Sequence, residues 1–469
     1  MKITKKILFV LAIISVAFCR FALADIPSRI DSIVKRDSLK KVNFGICIVD
    51  AKTGVVAYGY NPAAPRVPAS NMKIIITAAA LKYLGPDFEY VTKVGLLGDT
   101  LVITGSGDPL LADKTTDAKY GRQTGWILKD IADTLAKNNV TAVKDIVVDS
   151  SVFDDQRVHP HWPKDELNKW YACEVSGLNY NGNCVEIIAS TVAGRIELIV
   201  DPPTRYVDVI NKCQTAPKGH DTVWCSRQQG SNVITVLGKC YKDCQPVRVA
   251  VERPAAFFGF LLAEQLAASG IKVEGQFVEK RLDDISALKD LTAYKTNLWD
   301  VLERCNKDSF GLAAESLLKT VVAHPELGGK GGSWHAGQEV ISQYLRDLNV
   351  PDDQFVIDDG SGLSKDNRLT ANALTTVLLD IYRSPYWEHY KDTLAVGGVD
   401  GTVSKYFKNK KYKARIFGKT GYIDGVKCFS GLCRTDAGDY IFSILANNAN
   451  GSTREAINEI AQAVIDESE

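Results

Sequence analysis

The sequence predicts an α+β protein in which strands and helices are grouped rather than alternating, interrupted by one long insertion. Three observations carry this. Asn43 to Val49 and Val55 to Tyr58 read as strands joined at the turn Asp50-Ala51-Lys52-Thr53-Gly54. The chain closes on three strand-like runs, Arg415 to Thr420, Val426 to Cys433 and Tyr440 to Ala446, then a helical run from Thr453 to Ile465. Between these ends, the two stretches that carry the chemistry below stand roughly 240 positions apart, too far for one compact domain without an insert.

Taken in order, the chain starts with Lys2, Lys5 and Lys6, an apolar run from Ile7 to Phe18, and Ala22-Leu23-Ala24 before Asp25. That is the pattern of an export signal cleaved after Ala24. The run is shorter than the roughly 20 apolar residues a membrane-spanning helix needs, so no span is expected once the signal is removed. The whole chain of 469 residues balances 56 basic against 56 acidic side chains. The signal takes away only bases, so the remainder is mildly acidic and offers no basic surface for nucleic acid. Of 11 cysteines, Cys19 leaves with the signal, and an even number remains for an oxidising compartment, where disulfides are expected. Cys173, Cys184, Cys213, Cys225, Cys240 and Cys244 crowd the middle of the chain.

Ile30 to Leu39 is patterned as a short amphipathic helix. A helix from Ser70 to Leu84, ended by Gly85-Pro86, presents Ile74, Ala78 and Leu81 on a buried stripe. Within the insertion, Val94 to Leu97 and Thr100 to Thr104 form a hairpin, Gly105-Ser106-Gly107-Asp108-Pro109 a rigid turn, Trp126 to Lys137 a helix, and Asp145 to Val148 a strand. Leu178 to Val247 is strand-rich. Pro254 to Gly270 is a helix opened by proline and closed by glycine, and Lys272 to Gln276 a strand. From about Leu291 the pattern turns helical: Asn297 to Cys305, Ser309 to Ala323, His335 to Leu348 and Ala371 to Tyr382.

The chemistry begins at Pro68-Ala69-Ser70-Asn71-Met72-Lys73, where a loop becomes a helix. Spacing of three puts Ser70 and Lys73 on one helix face. A serine hydroxyl attacks an acyl carbon only when a base takes its proton, and a desolvated lysine can be that base. The helix N-terminus favours negative charge on the attacked oxygen. Ser-x-x-Lys alone is common here, so its weight comes from Ser309-Phe310-Gly311 and Lys419-Thr420-Gly421, which follow in the order used by serine acyltransferases of the penicillin-recognising type. No Ser-His-Asp triad is expected, since none of the six histidines sits in a nucleophile-elbow context. His159-Pro160-His161 flank a proline and are not expected to face one ion, and Cys240-x-x-x-Cys244 lacks a completing pair, so neither a metal nor a cofactor is predicted.

Together these residues resemble the class C penicillin-binding proteins, D-alanyl-D-alanine carboxypeptidase/endopeptidases. The resemblance rests on the Ser70, Ser309 and Lys419 motifs and on Gly105-x-Gly107-Asp108-Pro109, Asp359-Gly360-Ser361-Gly362-Leu363-Ser364-x-x-Asn367-Arg368 and Gly398-Val399-Asp400-Gly401-Thr402. It implies a transpeptidase-like core, an antiparallel sheet with helices on both faces, formed by residues 25–87 and 290–469. Residues 88–289 would be the insert, with a cysteine-rich subdomain near 173–248. It implies Ser70 as nucleophile, Lys73 as general base, Ser309 as proton relay and Lys419 as a positive charge beside them. Thr420, Gly421, Tyr422 and Gly311 would bind substrate, the N–H groups of Ser70 and Tyr422 forming the oxyanion hole. The partners implied are peptidoglycan stem peptides, with β-lactams as inhibitors, outside the cytoplasm. Gly311 departs from the family, which carries an asparagine there, and Tyr422 stands where a small hydroxyl residue is usual. A silent wall-binding protein and a serine esterase or β-lactamase-like hydrolase are the alternatives on the same scaffold.

Overall fold

The computed structural model describes residues 26–219, 221–324 and 331–468, so the signal at residues 1–24 lies outside the described residues. Its central sheet has six strands in the order Val56–Tyr60, Asn43–Asp50, Asp439–Asn447, Val426–Arg434, Ile416–Ile423 and Ala395–Val396. Every pairing is antiparallel. The last strand of the chain lies against the early hairpin, Ile46 opposite Ile444, which closes the fold on its own beginning.

Both faces of this sheet are covered, and the strand pattern shows why. Successive side chains of a strand point to opposite faces. In Asn43–Asp50, Phe44, Ile46 and Ile48 pack with Ile30 and Ile33 of the helix Ile26–Val34 and with Ile457, Ile460 and Val464 of the helix Thr453–Asp466. Cys47 and Val49 face the other way, against Ala371 of the helix Ala371–Tyr382. On that second face, Leu432, Ile441 and Leu445 join a core with the helices Met72–Leu84 and Gly311–Ala323. Met72–Leu84 is buried along almost its whole length, Lys73 and Thr77 included, as expected of a helix enclosed by others. It stops at Gly85, whose φ of +80° suits glycine and whose N–H reaches the Leu81 carbonyl.

Between the serine helix and the helix Leu298–Lys307 the chain builds further sheets. One has five strands, ordered Phe277–Glu279, Ile146–Asp149, Thr100–Thr104, Glu89–Leu97 and Lys289–Asn297. Its core includes Ile131 and Leu135 of Trp126–Lys137 and Phe257 and Leu262 of Pro254–Ala268. The sequence placed the return to core structure near 290. Lys289–Asn297 instead pairs antiparallel with Glu89–Leu97, so the chain stays in this sheet up to the start of Leu298–Lys307. Small sheets of Cys184–Val192, Arg195–Asp201 and Val247–Ala250, and of Trp224–Arg227, Val233–Leu237 and Asp208–Asn211, make up the strand-rich middle. The Gly105–Pro109 turn is a packing device there. A side chain on Gly107 would run into the Phe153 ring at 2.4 Å. Asp108 is buried, accepts from Leu110 N and Thr296 Oγ1, and has its carboxyl pushed up to about 6, chiefly by burial. Among the described residues no helix is long and apolar enough to cross a membrane.

Candidate active site

Ser70 sits in a short 3-10 turn, Ala69–Asn71, that leads into Met72–Leu84. The turn is held by close backbone approach. Ala69 has a φ of +45°, a conformation costly for a non-glycine residue and persisting only where the surroundings enforce it. Two glycines do so. A Cβ on Gly362 would fall 1.9 Å from the Ala69 carbonyl oxygen, and one on Gly421 would fall 2.8 Å from that of Pro68. The glycine of Lys419-Thr420-Gly421 is thus what lets the strand Ile416–Ile423 lie against the turn that presents the serine.

Lys73 points back along its helix, and its Nζ donates to Ser70 Oγ at 3.2 Å and to the Ser361 carbonyl at 2.5 Å. Across the cleft, Lys419 Nζ donates to Ser309 Oγ and to the Thr420 carbonyl, both at 2.8 Å. Ser309 lies just before the helix Gly311–Ala323 rather than within its first turn, with a φ of +62°. Both lysines are fully buried, and burial is the main force lowering their pKa values. Lys419 is driven well below the ordinary lysine range, with the positive charge of Lys73 as the second cause. Glu315, Asp359 and Cys305 oppose the drop at Lys73.

Gly311 faces the Tyr171 backbone. A Cβ there would stand 3.0 Å from the Tyr171 carbonyl oxygen and 3.7 Å from Ser361 Cβ. The buried acceptor that Lys73 finds is the Ser361 carbonyl. Asn306 does not fill the role, because its amide is tied to Thr393 and Thr77. Nor does Asn71, whose side chain donates to Ser430 Oγ on the sheet. Thr420 Oγ1 meets Thr402 Oγ1 at 2.9 Å, and the Tyr422 side chain is largely exposed. Ala395–Val396 pairs only with Phe417 and Gly418. Among the described residues the edge of the strand from Lys419 to Ile423 therefore has no strand beside it, where an extended peptide can lie.

Three residues that hold the site were given no role from the sequence, although Asp359 and Thr402 stand in motifs quoted above. Glu315 accepts from Trp334 Nε1, Gly360 N and Ser361 N at 2.8, 2.9 and 2.7 Å, fixing the loop that carries the Ser361 carbonyl. Its carboxyl is pushed up to about 7, first by burial and then by Asp359. An acid inside the apolar run Leu312 to Val322 was the available signal. Asp359 accepts from Gly362 N, Ser364 N, Asn367 Nδ2 and Trp162 Nε1. Asn367 also accepts from Asp358 N. Thr402 is the third, and it lay in plain view in its glycine-rich motif.

The metal expectations need a geometric correction. His159 and His161 do converge on Asp358 despite the proline, because residues 159–162 form a turn closed by Trp162 N donating to the His159 carbonyl. Cys240 and Cys244 gain Asp221 as a third neighbour. All ten described cysteines are thiols here.

Two serines of intermediate exposure, each hydrogen-bonded to a buried lysine beside an antiparallel sheet covered by helices, mark a serine hydrolase of the transpeptidase and β-lactamase-like fold. The sequence profile of the D-Ala-D-Ala carboxypeptidase 3 (S13) family matches residues 26–467, and the chain belongs to that family of serine hydrolases. It is 29% identical over 467 residues to the D-alanyl-D-alanine carboxypeptidase of Actinomadura sp. (strain R39), covering 93% of this chain and 84% of that one. Against the D-alanyl-D-alanine carboxypeptidase DacB of Haemophilus influenzae it is 22% identical over 417 residues, covering 85% and 84%. The crystal structure of penicillin binding protein 4 from Haemophilus influenzae superposes with a TM-score of 0.77 at 20% identity, covering 93% of this chain and 98% of that one. The same protein complexed with a β-lactam gives a TM-score of 0.72, with 94% and 99% covered.

Proposed function

We propose that this chain cleaves the peptide bond between the two terminal D-alanines of peptidoglycan stem peptides through an ester on Ser70, and opens D-alanine cross-links by the same route. The observation that carries this is the pairing of Lys73 with Ser70 and of Lys419 with Ser309 beside the open edge of the strand Ile416–Ile423. Neutral Lys73 takes the Ser70 proton as Oγ attacks the carbonyl. The N–H groups of Ser70 and Tyr422 receive the oxyanion, worth about 2.7–4 kcal/mol per donor. When the tetrahedral intermediate collapses, the Ser309 hydroxyl gives its proton to the leaving amine and takes in return the one Lys73 removed from Ser70, so Lys73 is neutral again and Lys419 keeps its charge. Thr420 and Thr402 hold the terminal carboxylate by hydroxyl hydrogen bonds, with Lys419 adding charge. Water then attacks the ester, Lys73 taking its proton and passing it to Ser70 Oγ as the ester bond breaks, which returns the Ser70 hydroxyl and releases the shortened peptide.

A β-lactam enters the same path and stops at the ester. The protein works outside the cytoplasm, in the periplasm or at the wall, after loss of residues 1–24. There Cys240 and Cys244, whose sulfurs lie 2.8 Å apart, close as a disulfide. The test is release of D-alanine from a stem peptide ending in D-Ala-D-Ala, compared with hydrolysis of simple esters. Release that disappears in Ser70→Ala supports the reading. Ester hydrolysis without D-alanine release overturns it.

A further inference from the structure

Outside the cleft, the turn that carries His159 and His161 is pressed against the loop that carries Asp358. The two imidazole rings lie 5.4 Å apart at 74°, on either side of Pro160. Their Nδ1 atoms stand 3.8 and 3.0 Å from Asp358 carboxylate oxygens, and the three donor atoms all lie within 4.8 Å of one another. A second carboxylate, Asp366, stands 3.3 Å from His161 Nδ1.

The donors are held from behind. His159 is buried between the indoles of Trp334 and Trp162, at 5.2 and 6.1 Å between ring centres. His159 Nδ1 accepts a long 3.3 Å hydrogen bond from His161 N, so this nitrogen carries the lone pair, and an ion bound there would take the place of that weak bond. Asp358 is fixed through its backbone, its N–H to Asn367 Oδ1 and its carbonyl to Gln338 Nε2, so its carboxylate is left for the two rings. One carboxylate between two imidazoles exceeds what a single histidine ion pair needs.

We infer that His159, His161 and Asp358 form a binding site for a divalent transition ion of the zinc class. Two imidazole nitrogens and one carboxylate oxygen suit such an ion, with the fourth position open to water or Asp366. Calcium and magnesium prefer all-oxygen shells and fit poorly. The ion would fasten the 159–162 turn to the loop whose Ser361 carbonyl holds Lys73. The binding claim does not depend on the catalytic reading.

The test uses the secreted full-length protein, stripped with a chelator and desalted. Zinc is titrated by calorimetry, and cobalt by its visible absorption. The inference predicts one equivalent of zinc, a raised Tm on binding, and a tetrahedral or five-coordinate cobalt spectrum without thiolate charge-transfer bands. His161 is half exposed, so His161→Ala folds, as circular dichroism will check, and it should bind at least tenfold more weakly. Asp358→Asn should do the same, whereas the double variant Cys240→Ser, Cys244→Ser should keep the equivalent. No binding at a tenfold excess of zinc, full binding by His161→Ala, or loss of binding only in the cysteine variant would each overturn it.

Discussion

Lys73 and Ser361, separated by 288 positions, meet through a 2.5 Å hydrogen bond from the Lys73 amine to the Ser361 carbonyl oxygen. It gives the buried amine an acceptor that needs no side chain at position 311. An amine buried without its partner would cost about 1.5–3 kcal/mol. Here the partner comes from the main chain of a loop that Glu315 and Asp359 hold in place.

Installing the family asparagine should therefore not improve the protein. In Gly311→Asn the new Cβ stands 3.0 Å from the Tyr171 carbonyl. Crowding of this kind costs about 1–3 kcal/mol. The expected outcome is a lower Tm and acylation by a labelled penicillin no faster than wild type, read by stopped-time gel fluorescence. Faster acylation would show that the Ser361 carbonyl is a poor substitute.

Glu315→Gln keeps the shape but puts an N–H₂ where three donors seek an acceptor. Losing a charge-assisted bond worth about 1.5–3 kcal/mol predicts acylation slowed roughly ten- to a hundredfold. The pH dependence of stability changes too. With a folded value of about 7 against a model value of 4.5, the folded protein holds a proton that the unfolded chain gives up between those values. That contribution is present below the lower value and lost as pH rises through the upper one. The drop in Tm between pH 5 and pH 8 should shrink in the glutamine variant.

How much of this was legible beforehand varied with the kind of signal. The hairpin near residue 50 and the closing strands were readable because runs of apolar residues between turn signals mark buried strands. Lys289–Asn297 was not, since its side chains are mostly exposed or half-buried and give no alternation. The pairing of Ser70 with Lys73 follows from helix spacing, but that of Lys419 with Ser309 rested on resemblance. The Lys73 to Ser361 contact had no local signature, because a backbone carbonyl carries no residue preference. His159 and His161 were misjudged because a proline was read as a spreader, when the turn around it brings the rings together.

Burying Lys73 has a cost in stability. Its folded pKa is lowered, so stability rises as pH climbs from the folded value toward the ordinary lysine range, and is lost as pH falls. Lys73→Met should remove that penalty and stabilise the protein at neutral pH by about 1–4 kcal/mol. Acylation should fall about 10²–10⁴-fold with the general base gone. Denaturant melts and adduct kinetics on one preparation read both effects.

Gly362→Ala tests the presentation of the nucleophile without touching any reacting group. Its Cβ would meet the Ala69 carbonyl at 1.9 Å, and its φ of +78° is unfavourable for alanine by roughly 1–2 kcal/mol. Acylation of Ser70 should be lost while the folded spectrum persists.

The most direct measurement is peptide mapping by mass spectrometry after exposure to a penicillin. A single adduct on Ser70, absent in Ser70→Ala and strongly reduced in Lys73→Met and in Lys419→Met, is the predicted result. No adduct in the folded wild-type protein, or one on any other residue, would contradict the account.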